Sequence, residues 1–488
     1  MLKAYSISAV AAGIGAFASI ATNILLARLM GPSAFGVLGL TLTITLFALI
    51  IGCLGLNEAG ARYIARAMGE GAHSDCRAIS LIVFIVLAIS SLLLTFAMLG
   101  LAHYVGNWMA SDGVASGLRH LAPFIPAIAG LQWAAMVLKG VGWNVRQVIF
   151  ENCTLQILIF AFAILAWYLT ADPFSVLVAY GIAYLASAIV SAFAAVWALK
   201  SLPNQGIACK EVWRELFSQG LPVTLIGISN RIQRRGDAII IGAVLGDTGV
   251  GVYRAAYTLA SATRPLRKVT STFAIHHLAR SYGMRRADLM RSHYDIGVRV
   301  SLALTLPVAF ITIGFAEELI LLLYGEQYKE GVLVVRILAL GQIALVAGGP
   351  AQALFGALKA NWLRMRISLT CAALTVMLQV LLVNTFGLPG IAFATASGFA
   401  ILLLSFIWFA RDRFDNFGAP PLRGVHSAVT CALGAFLLDA LPLSGALSIV
   451  LGAVGATVLF VFEIKAVKNL ATRIQQQASD GNLASQTQ

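Results

Sequence analysis

Ile24 to Leu40 reads ILLARLMGPSAFGVLGL, and Ile239 to Ala255 reads IIIGAVLGDTGVGVYRA. Superposed at an interval of 215 residues, Gly31 falls on Gly246, Gly36 on Gly251, Val37 on Val252 and Ile24 on Ile239. Each copy is the end of an apolar stretch, a tight glycine turn, and the start of another apolar stretch. A weaker echo at 216 residues sets Leu138 and Gly140 on Leu354 and Gly356. The repeat predicts a chain made of two like halves.

On either side of these copies, apolar stretches of about 20 residues or more recur to both ends, each long enough to cross a hydrocarbon core of about 30 Å as a helix. Of 488 residues, 59% are hydrophobic and 11% charged, against about 25% charged in a soluble domain. That excludes a soluble globular protein. Spans are expected at about 6–28, 35–56, 78–101, 120–141, 150–170, 174–198, 218–245, 249–273, 293–315, 331–357, 366–386, 389–410, 426–442 and 445–465. The fold class is therefore an all-α polytopic membrane protein with about 14 transmembrane helices. No loop can hold a folded extramembrane domain.

A repeat unit of six spans has an even number of crossings. Two tandem copies then share one orientation and are related by a pseudo-twofold axis along the membrane normal. The expected organisation is an N-lobe at 1–198 (spans 1–6) and a C-lobe at 218–410 (spans 7–12), with two extra spans at 411–465 and a cytoplasmic tail at 466–488. Between the lobes, 199–217 reads as a cytoplasmic linker. There Val212, Trp213, Leu216 and Phe217 lie at helical spacing opposite Lys210, Glu211 and Arg214, as in an interfacial helix. A plain extension of span 7 is the alternative reading.

A net charge of +13 would suggest nucleic acid in a soluble chain, but here the charges follow a membrane rule. About 24 of the 34 Lys and Arg fall on one side, among them Arg62, Arg66, Arg77, Lys200, Lys210, Arg214, Arg280, Arg285, Arg286, Arg411, Arg413 and Lys468. The other side has Arg28, Arg119 and Lys329 with acidic Glu317, Glu318, Glu326 and Glu330. Both termini are thus expected in the cytoplasm, with membrane lipids and not nucleic acid as surroundings. The stretch after Lys3 runs longer than a signal core and reads as an uncleaved first span. Six cysteines without paired short spacing, and His276 and His277 at a basic helix end, indicate neither a disulfide frame nor a metal site.

The most unusual stretch is Ser229 to Asp237, SNRIQRRGD, inside span 7. At 100° per residue, Asn230, Arg231, Arg234, Arg235 and Asp237 share one polar face. An Arg at mid-membrane costs about 2.5–3.5 kcal/mol, so three facing lipid would cost close to 10 kcal/mol and must face the interior. An interfacial break at this point is the competing reading. The repeat opposes it, because residues 231–235 superpose on Ala16 to Ile20, at mid-depth in span 1. Asp237, three residues after Arg234, is spaced to neutralise it, a reading preferred over proton carriage.

In span 8, Arg254 lies one turn from Thr258 and two from Ser261, with Pro265 further down and Tyr253 and Tyr257 adjacent. A cation, hydroxyls and aromatic rings on one wall suit a substrate carrying phosphate and sugar. The bland reading is an Arg snorkelling to the outer interface. Gly15, Ser19 and Asn23 share a face of span 1, where close packing is the first reading and cavity lining by Asn23 the second. Lys139 and Arg146 read as solvated charge at the cytoplasmic end of span 4.

These residues resemble the polysaccharide transport and O-antigen flippase family of the multidrug, oligosaccharidyl-lipid and polysaccharide exporter superfamily. The resemblance is carried by ARLMGPSAFG from Ala27 to Gly36, by Asp237, Gly242, Gly246, Gly251 and Tyr253, and by LYGEQY from Leu323 to Tyr328. It covers the chain from span 1 to span 14. It implies two six-helix lobes around a cationic cavity opening alternately to either side of a bacterial inner membrane. The implied function is translocation of undecaprenyl-pyrophosphate-linked oligosaccharide to the periplasmic leaflet, with no catalytic residues, metal or cofactor and with other polysaccharide assembly proteins as a further partner class. Arg28 and Asp237 match family motif positions. Arg231, Arg234 and Arg235 follow from helix geometry alone, and the substrate-site candidates are these with Arg254, Arg28, Asn23 and Tyr257.

Two other functions compete. A multidrug exporter of the same superfamily handles organic cations, which a net positive interior would repel. A membrane polymerase or glycosyltransferase calls for a sizeable outer loop with acids or bases, whereas the longest outer segments, about 102–119 and 316–330, are short. No nucleotide-binding loop is present. For antiport of protons or sodium, Asp237 and Glu58 are the carboxylates to consider.

Overall fold

The structure is a computed structural model of the chain. It describes residues 2–53, 55–71, 73–202, 212–263, 286–358, 360–413, 423–440 and 451–465, with short pieces at 274, 277–278, 280–282, 284, 467–468 and 472. Side chains are described within these ranges except at 2–6, 9, 73–75, 212–224, 287–288, 412–413, 423–426, 428 and 438–440. Among the described residues the fold is all helical. It forms two compact units, Met1–Ala255 with Leu323–Gln327, and Ala256–Leu322 with Tyr328–Gln488.

In chain order the helices are α1 (Leu2–Cys53), α2 (Leu56–Glu70), α3 (His73–Trp108), α4 (Asp112–Leu121), α5 (Ile125–Gly140), α6 (Asn144–Val148), α7 (Leu155–Thr170), α8 (Pro173–Lys200) and α9 (Val212–Ala260). They continue as α10 (Ala287–Gly314), α11 (Ala316–Leu323), α12 (Gly331–Ala347), α13 (Gly349–Ala357), α14 (Asn361–Arg413) and α15 (Arg423–Ala440). Residues 451–465 are also helical. The helix at Val212 runs without interruption into span 7, and residues 203–211 of the expected linker lie outside the described residues.

At 1.5 Å per residue, the 52 residues of α1 would reach about 78 Å, more than twice the hydrocarbon core. Gly31 divides it, with φ 77° and ψ 171°, a backbone region that is essentially reserved for glycine. Pro32 follows at the first position of the next helix, where its missing N–H costs nothing. Gly246 divides α9 at φ 72° and ψ −176°, the repeat partner of Gly31 in the same conformation. Gly387 divides α14 at φ 58°, followed by Pro389. Nine apolar helical segments among the described residues can cross a membrane. Three of them are split by these glycines, which makes twelve crossings. The expected spans 13 and 14 fall on α15 and on 451–465, with 441–450 outside the described residues.

Hydroxyls inside these helices bond back along their own turns, since lipid offers no partner. Thr22 donates to the Ala18 carbonyl at 2.7 Å, Thr43 to Gly39 at 2.7 Å and Ser229 to Leu225 at 2.8 Å. In the first unit, span 5 opens with a π-helical turn at Ile149–Thr154. A Cβ on Gly15 would lie 2.2 Å from the Asn152 carbonyl oxygen at that turn, so Gly15 is there for close packing, as its spacing with Ser19 predicted. In the second unit, Phe310 fills the space beside Gly434 and Gly455, tying α10 to the appended helices.

Candidate functional site

The helix carrying SNRIQRRGD is continuous from residue 229 to 237, and the break inside α9 is at Gly246. No interfacial break interrupts the arginines. Ser229, Gln233 and Asp237 are buried, while Arg231, Arg234 and Arg235 are half-buried. Arg231 Nη1 donates to the carbonyl of Leu46 in the second half of α1, at 3.4 Å. Asp237 Oδ1 accepts the backbone N–H of Ala238 at 2.8 Å.

Eight residues beyond the Gly246 break, a little over two turns, Arg254 points into the first unit. Its Nη2 donates to Asn23 Oδ1 at 3.2 Å, and Asn23 is itself anchored by Nδ2 donating to the Ser19 carbonyl at 2.7 Å. The guanidinium lies 4.9 Å from the centre of the buried Phe35 ring. Gly39 supplies the room, because a Cβ there would be 2.6 Å from Arg254 Nη1 and 2.9 Å from its Cδ. Gly39 and Arg254 are repeat partners at the 215-residue interval. One half therefore spends its smallest residue where the other places a long cation.

Arg235 is an electrostatic neighbour of both Arg231 and Arg254, so three guanidinium groups share one polar region of the first unit. Tyr184 and Cys53 lie in the field of Arg231, and Tyr180 and Tyr324 in that of Arg254. The sequence reading singled out neither Tyr180 nor Tyr184, and it held Phe35 and Tyr324 only as motif residues, not as site candidates. For the α8 pair the signal was the four-residue spacing of Tyr180 and Tyr184, which sets both on one face of that helix. Tyr324 belongs to LYGEQY, whose Leu323–Gln327 portion joins the first unit. A Cβ on Gly31 would sit 3.5 Å from Gln327 Oε1, so ARLMGP and LYGEQY meet in space.

Arg28 is exposed, one turn before the Gly31 break. Tyr257 is buried in the second unit. Pro265 lies outside the described residues. Glu58 is exposed and accepts two bonds from Lys139 Nζ, at 3.0 and 2.8 Å. Chemically, planar guanidinium forks among phenols and an amide in an apolar surrounding suit an anion with several oxygens.

Residues 1–272 match the family model described as polysaccharide biosynthesis protein, and residues 250–463 match that of the lipid II flippase MurJ. The probable low-salt glycan biosynthesis flippase Agl15 of Haloferax volcanii is 24% identical over 192 residues, covering 38% of this chain and 40% of the relative. The chain thus matches less than half the length of that curated relative. Among solved structures, an inward-facing multidrug resistance MATE family transporter of the MOP superfamily is similar at TM-score 0.70 and 18% identity, covering 83% of this chain and 95% of that one. The lipid II flippase MurJ in its inward closed conformation is similar at TM-score 0.71 and 11% identity, over 96% and 100% of the two chains. With more than half of its length under one family model, the chain belongs to the polysaccharide biosynthesis protein family.

Proposed function

We propose that this chain is a flippase that carries undecaprenyl-pyrophosphate-linked oligosaccharide from the cytoplasmic to the periplasmic leaflet of a bacterial inner membrane, by alternating access, for surface polysaccharide assembly. The observation that carries the reading is the guanidinium cluster of Arg231, Arg235 and Arg254 within one membrane-embedded unit. A pyrophosphate offers several oxygens to such forks, and pairing is strongest where water is scarce. The polysaccharide family and the glycan flippase relative support the same reading. Arg234, Arg28 and Tyr257 are further candidates for contact with the substrate, and Asp237 for balancing charge.

The likeness to a multidrug transporter supports a second reading, export of small organic molecules. Three arginines oppose a cationic drug at short range, so this reading fits an anionic or neutral compound only. The deciding experiment is to delete the gene and ask where lipid-linked glycan resides. Accumulation on the cytoplasmic face, reversed by the wild-type chain, supports the flippase. Normal export in the deletion strain overturns it.

A further inference from the structure

The first unit carries a groove that the arginine site does not use. It lies between α7 and α8, with His120 of α4 at its rim, and encloses about 460 Å³, within the roughly 300–1,000 Å³ of small-molecule sites. Its walls are Phe162, Leu165 and Leu169 of α7 and Phe174, Val178 and Ile182 of α8. Leu165, Leu169 and Ile182 are exposed on what the hydropathy makes a lipid-facing surface. From Asp172 to Ile182 the helix rises about 15 Å, half of a hydrocarbon core about 30 Å thick. The groove is one leaflet deep.

Its polar groups stand at one end only, where α7 gives way to α8. Asp172 caps α8, its Oδ2 accepting from the Ser175 N–H at 2.9 Å and from the Ser175 hydroxyl at 3.1 Å. His120 stacks on Phe174 with ring centres 5.3 Å apart and planes 20° apart. Its Nδ1 donates to the Ser116 carbonyl at 2.8 Å, which leaves Nε2 as the acceptor of the neutral ring. The rim of an apolar slot thus offers a carboxylate and an imidazole acceptor. Both call for a cation with N–H groups to donate.

We propose that this groove binds one phospholipid with a primary ammonium headgroup, its ammonium on Asp172 and His120 and an acyl chain along Phe162 to Ile182. A quaternary ammonium carries the charge but no N–H for His120. An anionic lipid, a polyprenyl pyrophosphate included, would set its charge against Asp172.

The test uses the full chain, purified in mild detergent with equal amounts of phosphatidylethanolamine, phosphatidylcholine and phosphatidylglycerol, with retained lipid counted by native mass spectrometry. One phosphatidylethanolamine should remain, at least tenfold over the other two. Ala166→Trp, which fills the groove, should abolish this retention. Asp172→Asn keeps an N-cap acceptor and should bring the three lipids within about twofold of one another. Equal retention of the three by the wild-type chain overturns the proposal. So does unchanged retention in a monodisperse Ala166→Trp protein, or displacement of the bound lipid by an equal amount of polyprenyl phosphate. None of these readouts involves translocation, so the outcome is independent of the flippase reading.

Discussion

Gly36 and Gly251 pack reciprocally. A Cβ on Gly36 would lie 1.8 Å from the Asp247 carbonyl oxygen, and a Cβ on Gly251 would lie 1.9 Å from the Pro32 carbonyl oxygen. Pro32 and Asp247 stand at the same 215-residue interval as the glycines themselves. Residue i touches j and the partner of j touches the partner of i, which is the signature of a twofold contact. The duplicated sequence has thus kept both sides of one close helix crossing, within the first unit.

Neither obstruction is a flexible side-chain tip. Both are backbone oxygens, so adding a methyl must move a helix. Gly36→Ala and Gly251→Ala should each lower stability by about 1–3 kcal/mol, the usual cost of overpacking. The double variant should lose less than the sum, because the first methyl already parts the helices. Thermal midpoints of the purified proteins check this, and additive losses would show that the two glycines do not share one contact.

Gly246 has nothing within 4 Å of its missing Cβ, yet its φ is 72°. Gly246→Ala should therefore cost about 1–3 kcal/mol through backbone strain alone. Gly227, also with open space around it but in regular helix, is the control. Gly227→Ala should be neutral or stabilising by up to about 1 kcal/mol. Equal effects at the two positions would remove the strain argument.

Gly39→Ala should displace the Arg254 guanidinium from Asn23 and Phe35, lowering both stability and translocation. In an Arg254→Ala background the same methyl has space, and its penalty should shrink by more than half. A double-mutant cycle on thermal midpoints measures the coupling, and a penalty independent of Arg254 would separate the two residues.

Much of this was legible in the sequence, for identifiable reasons. The Gly31 and Gly246 breaks were readable because a repeated glycine between apolar runs has few other uses. The inward-facing arginines of span 7 were readable because lipid would not tolerate them. Arg254 and Asn23 were separate candidates, but their pairing was not evident, since 231 residues lie between them. Phe35 and Tyr324 entered only as letters of the motifs that carry the resemblance, and Tyr180 gave no signal beyond its spacing with Tyr184. Arg146 read as a solvated charge and is exposed, and its guanidinium also lies over Trp143 at 4.0 Å and Trp197 at 5.1 Å, a contact that positional counting does not reveal. The π-helical turn at Ile149–Thr154 left no local signal.

Glu58 is one of the two carboxylates considered for ion coupling, and the structure gives it a simpler role. Its carboxylate is about half exposed and paired with Lys139 at 2.8 Å. Such surface pairs contribute about 0–1 kcal/mol. Glu58→Gln should keep translocation and its pH dependence, with a stability change below about 1 kcal/mol. Loss of pH dependence in this variant would assign Glu58 to coupling after all.

The proposed pyrophosphate site rests on the guanidinium forks of the first unit. Its most direct measurement is the affinity of the purified chain for undecaprenyl pyrophosphate and undecaprenyl monophosphate, in the wild type and in a well-folded Arg231→Ala, Arg235→Ala, Arg254→Ala triple variant. The wild type should prefer the pyrophosphate by tenfold or more, the triple variant should lose this preference, and the corresponding Lys substitutions should retain part of it. An unchanged preference in the triple variant would contradict the claim.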